Sequence, residues 1–397
     1  MSSNRQFFRE KQPAAVFKHK LLENYLHIWA ARLGRWNPQG LAFIDGYAGE
    51  GRYGSGYAGS PAIALKVARE GRQKAPLRSI FVEKAGSVAA ILEQVIEAEG
   101  SGLDVVGPLR GTLEEQLPAV LGAASGRPAL FFLDPFGTSL DMRLLVDRVL
   151  RRHDRVPTEV LLNFNIESVW RIGGLLAKRT SSHAAAAEAG LKNLDRFLGG
   201  SWWQDCFLDA RRALEMDDDY ATAGRAAQIV ADEYARLVCS SSGYSHLKVP
   251  VRRNREALPF FSLMLFYTHD AAKLPFLASA ARAHQVWRQE LWERYSADYN
   301  RDALPILFRD LEREAKDETE AIRMQAISEI QDNVRRLLEG KSSLKLSPVI
   351  EELFGLVIGT AGEPELRAAL RGLEQEGLIR HFSGTVRLDQ LTIHRAA

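Results

Sequence analysis

The sequence predicts an α/β fold: a Rossmann-like three-layer sandwich with a helical insertion and a C-terminal winged-helix-like domain. Three observations predict it. Short apolar runs alternate with amphipathic helical patterns through the first two thirds of the chain. The first of those runs ends in an acid followed by a glycine-rich loop. The last segment abandons the alternation for two short helical patterns and a hairpin pattern.

The elements follow in chain order. Ala15–Leu33 carries Val16, Leu22, Leu26 and Trp29 on one side, the pattern of a helix lying on a core. Leu41–Asp45 (LAFID), Ser79–Glu83 (SIFVE), Leu103–Val106 (LDVV), Ala129–Asp134 (ALFFLD) and Glu159–Phe164 (EVLLNF) read as buried strands. Ser60–Glu70, Ser87–Glu99 and Leu140–Arg152 read as the helices between them, the first capped by Ser60 with Pro61 at its first helical position. Strands that are apolar without alternation must be covered on both faces, which implies a parallel sheet between helical layers.

From Ile166 to Cys239 the pattern is helical, including the alanine-rich Ala184–Ala189, and forms an insertion. His246–Val251 and Phe260–Thr268 resume the sheet, and Ala280–Leu338 is a charged helical stretch. Gly340–Ser343 reads as a linker. Ser347–Phe354 and Glu363–Glu376 are then expected as helices, and Leu378–Leu388 as a hairpin turning at Ser383–Gly384, the order of a winged-helix module. The expected division is 1–275 with an insertion at 166–240, a helical connector at 276–340, and a winged-helix-like domain at 341–397.

Composition narrows the function classes. The net charge is +2, so a polyanionic partner would have to be met by local clusters: Arg148/Arg151/Arg152/Arg155, Arg171/Lys178/Arg179 and Arg252/Arg253/Arg255. A solvated face is the ordinary reading of each. The two cysteines, Cys206 and Cys239, support neither a disulfide framework nor a cysteine-rich zinc site, and the histidines show no metal-binding spacing. No metal is expected. The N-terminus lacks an apolar signal core, and Leu258–Tyr267 is about half the length of a membrane span. A cytoplasmic protein without a membrane partner is the expectation.

Two loops carry the chemistry. Asp45-Gly46-Tyr47-Ala48-Gly49-Glu50-Gly51 follows the first strand, at the edge where α/β sheets hold nucleotides. Asp45 reads either as a cofactor-organising acid or as a loop brace. The segment Arg52–Gly59 either covers a ligand or is an ordinary surface loop. Glu83, ending the second strand, is placed to accept hydrogen bonds from ribose hydroxyls; a surface glutamate is the alternative. After the third strand, Gly107-Pro108-Leu109-Arg110-Gly111-Thr112 supplies no acid, so adenine recognition is unassigned.

After the fourth strand comes Asp134-Pro135-Phe136-Gly137. A carboxylate and a proline carbonyl are two acceptors able to orient an exocyclic amine, and Phe136 offers a stacking surface for a flat base. A simple Asp-Pro turn and a core aromatic are the bland alternatives. Asn163 and Asn165, at the end of the fifth strand, read first as loop braces.

Taken together, the run Lys18-His19-Lys20-Leu21-Leu22-Glu23-Asn24-Tyr25-Leu26-His27-Ile28-Trp29, the FIDGYAG loop with Gly59-Ser60-Pro61, and FLDPFG resemble the three-Cys-motif partner protein family (TcmP). The resemblance spans roughly residues 15–270. It implies a class I S-adenosyl-L-methionine (SAM) dependent methyltransferase fold, SAM as cofactor, and a radical-SAM-like three-cysteine-motif protein as partner. The Asp-Pro-Phe-Gly element is also similar to that of tRNA guanine-N2 dimethyltransferases, whereas adenine-amine methyltransferases carry Asp-Pro-Pro-Tyr. The Lys18-His19 pair resembles one that lies by the cofactor in a ribosomal-RNA adenine methyltransferase family; a solvated helix face is its other reading. The implied reaction is methyl transfer to an exocyclic amine of a base in DNA or RNA. The alternatives are a protein, peptide or small-molecule methyltransferase, and a non-catalytic SAM-binding partner. Asp134, Pro135, Phe136 and Gly137 would hold the acceptor. Lys18, His19, Asp45, Gly46, Tyr47, Ala48, Gly49, Gly51 and Glu83 would hold the cofactor.

Overall fold

A computed structural model describes residues 13–54, 56–135, 137–152, 156–177, 184–214, 219–252, 257–299 and 306–396. The chain divides into two compact units, 26–268 and 13–25 with 269–396. The first helix, α1 (Pro13–Gly34), contributes to both by sequence.

The first unit is built on a seven-stranded sheet. In chain order it comprises β1 (Leu41–Asp45), α2 (Ser60–Gly71), β2 (Leu77–Glu83), α3 (Gly86–Glu99), β3 (Val105–Arg110), α4 (Leu113–Ala123) and β4 (Ala129–Leu133). There follow α5 (Leu144–Leu150, wound as a π-helix), β5 (Thr158–Phe164), an insertion, β6 (Ser245–Val251) and β7 (Phe261–Tyr267). The spatial order is β3-β2-β1-β4-β5-β7-β6. Strands β1 to β5 are mutually parallel, and β7 runs antiparallel to both β5 and β6. This is a Rossmann-like sheet, and the order reverses between β1 and β4, where such sheets open a crevice. β1, β4 and β7 are buried along their whole length, as strands covered on both faces must be.

Three local expectations are corrected. The third strand does not end at Val106: β3 continues through Gly107-Pro108 to Arg110. It is the edge of the sheet, where a proline lacking an N–H removes no bond that an outer neighbour would need. The helix expected over Leu140–Arg152 is shorter, and its π-winding shows where Arg151 N donates to Val146 O at 3.2 Å. Gly59 rather than Ser60 is the N-cap of α2, and no side chain caps that end.

The insertion comprises α6 (Ile166–Ala177), α7 (Ala184–Leu198), α8 (Trp202–Leu214) and α9 (Asp219–Ser242). It packs on the sheet through aromatic rings. Phe164 of β5 lies 5.3 Å from Phe197 of α7 and 5.1 Å from Tyr234 of α9, and the last two stack at 5.5 Å. Trp203 and Phe207 are buried in the same core.

The second unit contains α10 (Lys273–Tyr299), α11 (Ile306–Leu337), β8 (Ser343–Lys345), α12 (Ile350–Phe354), α13 (Glu363–Gln375) and β9 (Thr392–His394). The expected Ser347–Phe354 helix is a 3₁₀ turn at Ser347–Val349 followed by α12. The expected hairpin at Leu378–Leu388 is also corrected. β8 pairs antiparallel with β9, and Ile379 bridges Arg395. Arg380 N donates to His394 O at 2.8 Å and Ala396 N to Leu378 O at 2.9 Å, so the chain returns across a wider loop. Burial explains the register: Ile379 and Ile393 point into the core, and Leu388 and Leu391 within the loop are buried as well.

Among the described residues no helix is long and apolar enough to cross a membrane, and no group of three or more His, Cys, Asp or Glu is placed to hold a metal.

Candidate functional site

The glycine loop begins where β1 ends. Asp45 is fully buried, and its Oδ1 accepts from Tyr47 N at 3.1 Å, which folds the loop back over the strand. Gly46 N then donates to Phe132 O at 3.1 Å and Ala48 N to Val82 O at 2.9 Å, so the loop spans the ends of β4 and β2. Gly49 N reaches Glu83 Oε2 at 2.9 Å. The second oxygen of Glu83 accepts from Ala85 N at 2.8 Å. Each carboxylate oxygen thus takes one backbone donor and keeps a lone pair for another. Glu83 is both a loop brace and a surface still able to accept from a diol.

Glycine is required at two points of the loop. Gly51 has φ +81°, and a Cβ there would stand 2.9 Å from Leu92 Cδ1. Gly49 has φ +64°, and a Cβ there would meet nothing within 4 Å. The backbone of Gly49 therefore faces open space, and a side chain at that position would project into it.

Residues 52–53 and 57–58 pair as the two arms of a small hairpin. Arg52 bridges Ala58, Tyr53 N donates to Tyr57 O at 3.0 Å, and Gly59 N donates to Gly51 O at 2.9 Å. The Arg52 guanidinium anchors it, with Nη2 on Glu99 Oε2 at 2.9 Å and Nη1 on Gly56 O at 2.8 Å. Among the described residues, none of this hairpin lines the cavity beside the glycine loop.

That cavity holds about 720 Å³, within the range of about 300–1,000 Å³ usual for small-molecule sites. One wall is Gly46, Tyr47, Glu83, Lys84 and the turn Gly111–Leu113. The other is Thr138–Asp141 with Leu144, and α7 contributes Asn193 and Arg196. Tyr47 is partly buried in this lining. Burial pushes its phenol up to about 12, against a hydrogen bond with Ser139 that pulls it down, with Asp134 close enough to add to the rise. The phenol is therefore neutral at ordinary pH.

Beyond the end of β4, Asp134 is half-buried, and Asn163 Nδ2 donates to its Oδ1 at 2.5 Å. Asn163 itself is buried, and its Oδ1 has no hydrogen-bond partner among the described residues. Asn165 instead caps α6, accepting from Ser168 N at 2.9 Å. Pro135 is buried beside Asp134, and Gly137 turns the chain with φ +65°. Phe136 lies outside the described residues. Lys18 and His19 belong to the second unit, on α1, half-buried and buried respectively.

The structure therefore groups Asp45, Gly46, Tyr47, Ala48, Gly49, Gly51 and Glu83 at one edge, with Asp134, Pro135 and Gly137 just beyond the end of the neighbouring β4. Sequence reasoning missed Ser139, Asp141, Asn193, Arg196 and Glu114. Arg196 carries no sequence signal, being an exposed cation on an insertion helix. Asp141 shows one after the fact: its Oδ1 accepts from Arg143 N at 2.8 Å, a helix-capping pattern.

The basic clusters are also revised. Arg152 is buried, donating to Ala124 O at 3.0 Å and Arg127 O at 3.3 Å, so it is a structural residue. Arg151 pairs with Asp147 at 3.4 Å, and Arg252 donates to Ala257 O at 2.9 Å. Arg155, Lys178, Arg179, Arg253 and Arg255 lie outside the described residues.

No protein-family model matches the chain, and no curated protein matches it. Solved structures do. The methyltransferase domain of bacterial CtHen1 is 12% identical over 62% of this chain and 99% of its own, with a TM-score of 0.30. The plantazolicin methyltransferase BamL, in complex with a triazolic desmethylPZN analog and SAH, is 9% identical over 64% and 86%, with a TM-score of 0.29. The cyclopropane synthase MmaA2 from Mycobacterium tuberculosis is 10% identical over 62% and 82%, with a TM-score of 0.26. The fold rests on the strand order described above.

Proposed function

We propose that the chain is a SAM-dependent methyltransferase acting on an amine, with the exocyclic amine of a base in DNA or RNA as its acceptor. The observation that carries this reading is the joining of the glycine loop to Glu83 through Gly49 N, at the edge of a 720 Å³ cavity where the sheet order reverses. The loop would follow the amino-acid end of SAM, and Glu83 would accept from its ribose. The site residues fit the group, since Glu83 retains acceptor capacity and Gly49 faces open space.

When bound, SAM supplies an electrophilic methyl on a sulfonium. Asp134, held by Asn163, and the Pro135 carbonyl would accept the N–H groups of the amine and so aim its lone pair. The surplus proton left on the amine nitrogen would pass to Asp134 or to water. A neutral amine needs orientation more than a strong base, so no histidine is called for.

One observation favours a second reading, a peptide or small-molecule amine as acceptor. Carboxylates outnumber cations on the cavity wall, Glu83, Glu114, Glu115 and Asp141 against Lys84 and Arg196, and several arginines of the basic clusters are buried or paired. On the family resemblance, a radical-SAM-like three-cysteine-motif protein is the proposed partner. Residues 341–397, with a strand, two helices and a returning strand, are proposed as the winged-helix-like domain.

The test is transfer of tritiated methyl from SAM to tRNA, rRNA, DNA and protein fractions, beside Asp134→Ala. Counts in a nucleic acid that fall at least about a hundredfold in the variant, on the scale of lost acceptor orientation, are expected. Counts in protein alone would favour the second reading, and none in any fraction would leave a non-catalytic SAM-binding partner.

A further inference from the structure

The insertion reaches the cavity through one charged side chain. Arg196, on α7, sits over the opening with its Nη2 3.3 Å from Glu114 Oε2 and 3.4 Å from the Ser139 carbonyl, and its Nε 3.5 Å from Asp141 Oδ2. Every one of these contacts is long. Elsewhere on the same unit arginines sit closer to their partners, as Arg78 does, its Nε donating to both Asp104 oxygens at 2.9 and 3.0 Å. Arg196 is shared among three acceptors and committed to none, and its side chain is half exposed. Surface pairs of this kind contribute little, so a ligand displaces them at small cost.

The arrangement has a chemical complement. A guanidinium fork flanked by two carboxylates, above a small-molecule cavity, matches an α-amino acid: a carboxylate beside an ammonium. Glu114 begins α4 and Asp141 precedes α5, and both line the cavity together with Arg196. Carboxylates also outnumber cations four to two around the cavity, which suits a ligand of net positive charge such as a sulfonium-bearing amino acid.

We propose that Arg196, Glu114 and Asp141 form a zwitterion-reading subsite for the amino-acid end of the cofactor, its carboxylate on Arg196 and its ammonium on the two acids. The inference rests on the cofactor reading above. It makes the helical insertion part of the binding site, since α7 supplies the cation that meets the ligand. Glu114 and Asp141 hold Arg196 in place until its fork turns to the incoming carboxylate.

The experiment compares two ligands without any acceptor present. S-adenosylhomocysteine carries the amino-acid end, and 5′-methylthioadenosine lacks it. Both are titrated calorimetrically into the full-length chain and into Arg196→Ala and Arg196→Lys, with thermal melts confirming that the variants fold. The expected result is a loss on the order of tenfold or more for S-adenosylhomocysteine in Arg196→Ala, the scale of a charge-assisted hydrogen bond, with 5′-methylthioadenosine unchanged. Arg196→Lys should recover part of the loss, keeping the charge but not the fork. Equal losses for both ligands, or no loss for either, would overturn the subsite while leaving the cofactor reading intact. A wild-type chain that binds neither ligand would sink both.

Discussion

At the residue scale, the site holds a side chain whose ionisation is fixed by burial. The Tyr47 phenol is pushed up to about 12 from an ordinary value of 10.0, chiefly by desolvation. A raised phenol favours the neutral form in the folded state. The stability this represents is fully present below pH 10 and is lost as pH rises toward about 12. Urea midpoints at pH 8 and pH 11 should show the wild type losing more stability between the two than Tyr47→Phe does, because the variant has one phenol fewer to ionise. Equal losses would mean that Tyr47 is not held in the buried setting described. Asp134 shows the other way of fixing a group: Asn163 spends one amide hydrogen on its Oδ1 at 2.5 Å, which sets the orientation of the carboxylate.

At the element scale, the insertion is part of the core. Phe197 of α7 is fully buried between Phe164 and Tyr234, so Phe197→Ala should destabilise the first unit by about 3–5 kcal/mol. A melt should show this, and a cost below about 1 kcal/mol would mean that α7 is not docked on β5. Because Arg196 lies one residue before Phe197, the same variant should also weaken the cavity wall. The sheet was legible in the sequence because buried parallel strands read as unbroken apolar runs: LAFID, ALFFL and EVLLNF each mark a strand. The end of β3 was not, since Gly107-Pro108 looks like a turn and only an edge position lets it be a strand. The expected hairpin at Leu378–Leu388 differs for a related reason. Ser383-Gly384 is a good turn signal, but which strand pairs with which depends on the burial of Ile379 and Ile393, and β8 lies far off in sequence.

At the scale of the whole molecule, a single sheet edge gathers the glycine loop, Glu83, Asp134 and Asn163, and an insertion brings a cation to the same cavity. The loop-and-acid half of this site was readable from spacing alone, since Asp45, Gly49 and Glu83 each sit at a strand end. The other half was not: Asn193 and Arg196 arrive from a helix far along the chain, and only the fold brings them to Ser139 and Asp141. The central claim is that this edge binds SAM. Calorimetric titration of SAM into the purified chain, beside Gly49→Arg, tests it most directly. Gly49 faces open space, so the arginine should fill the site while the left-handed backbone costs the fold only about 1–2 kcal/mol. Micromolar binding in the wild type that disappears in the folded variant is the predicted result. A folded wild type that takes up no SAM, or a variant that binds it equally well, would contradict the account.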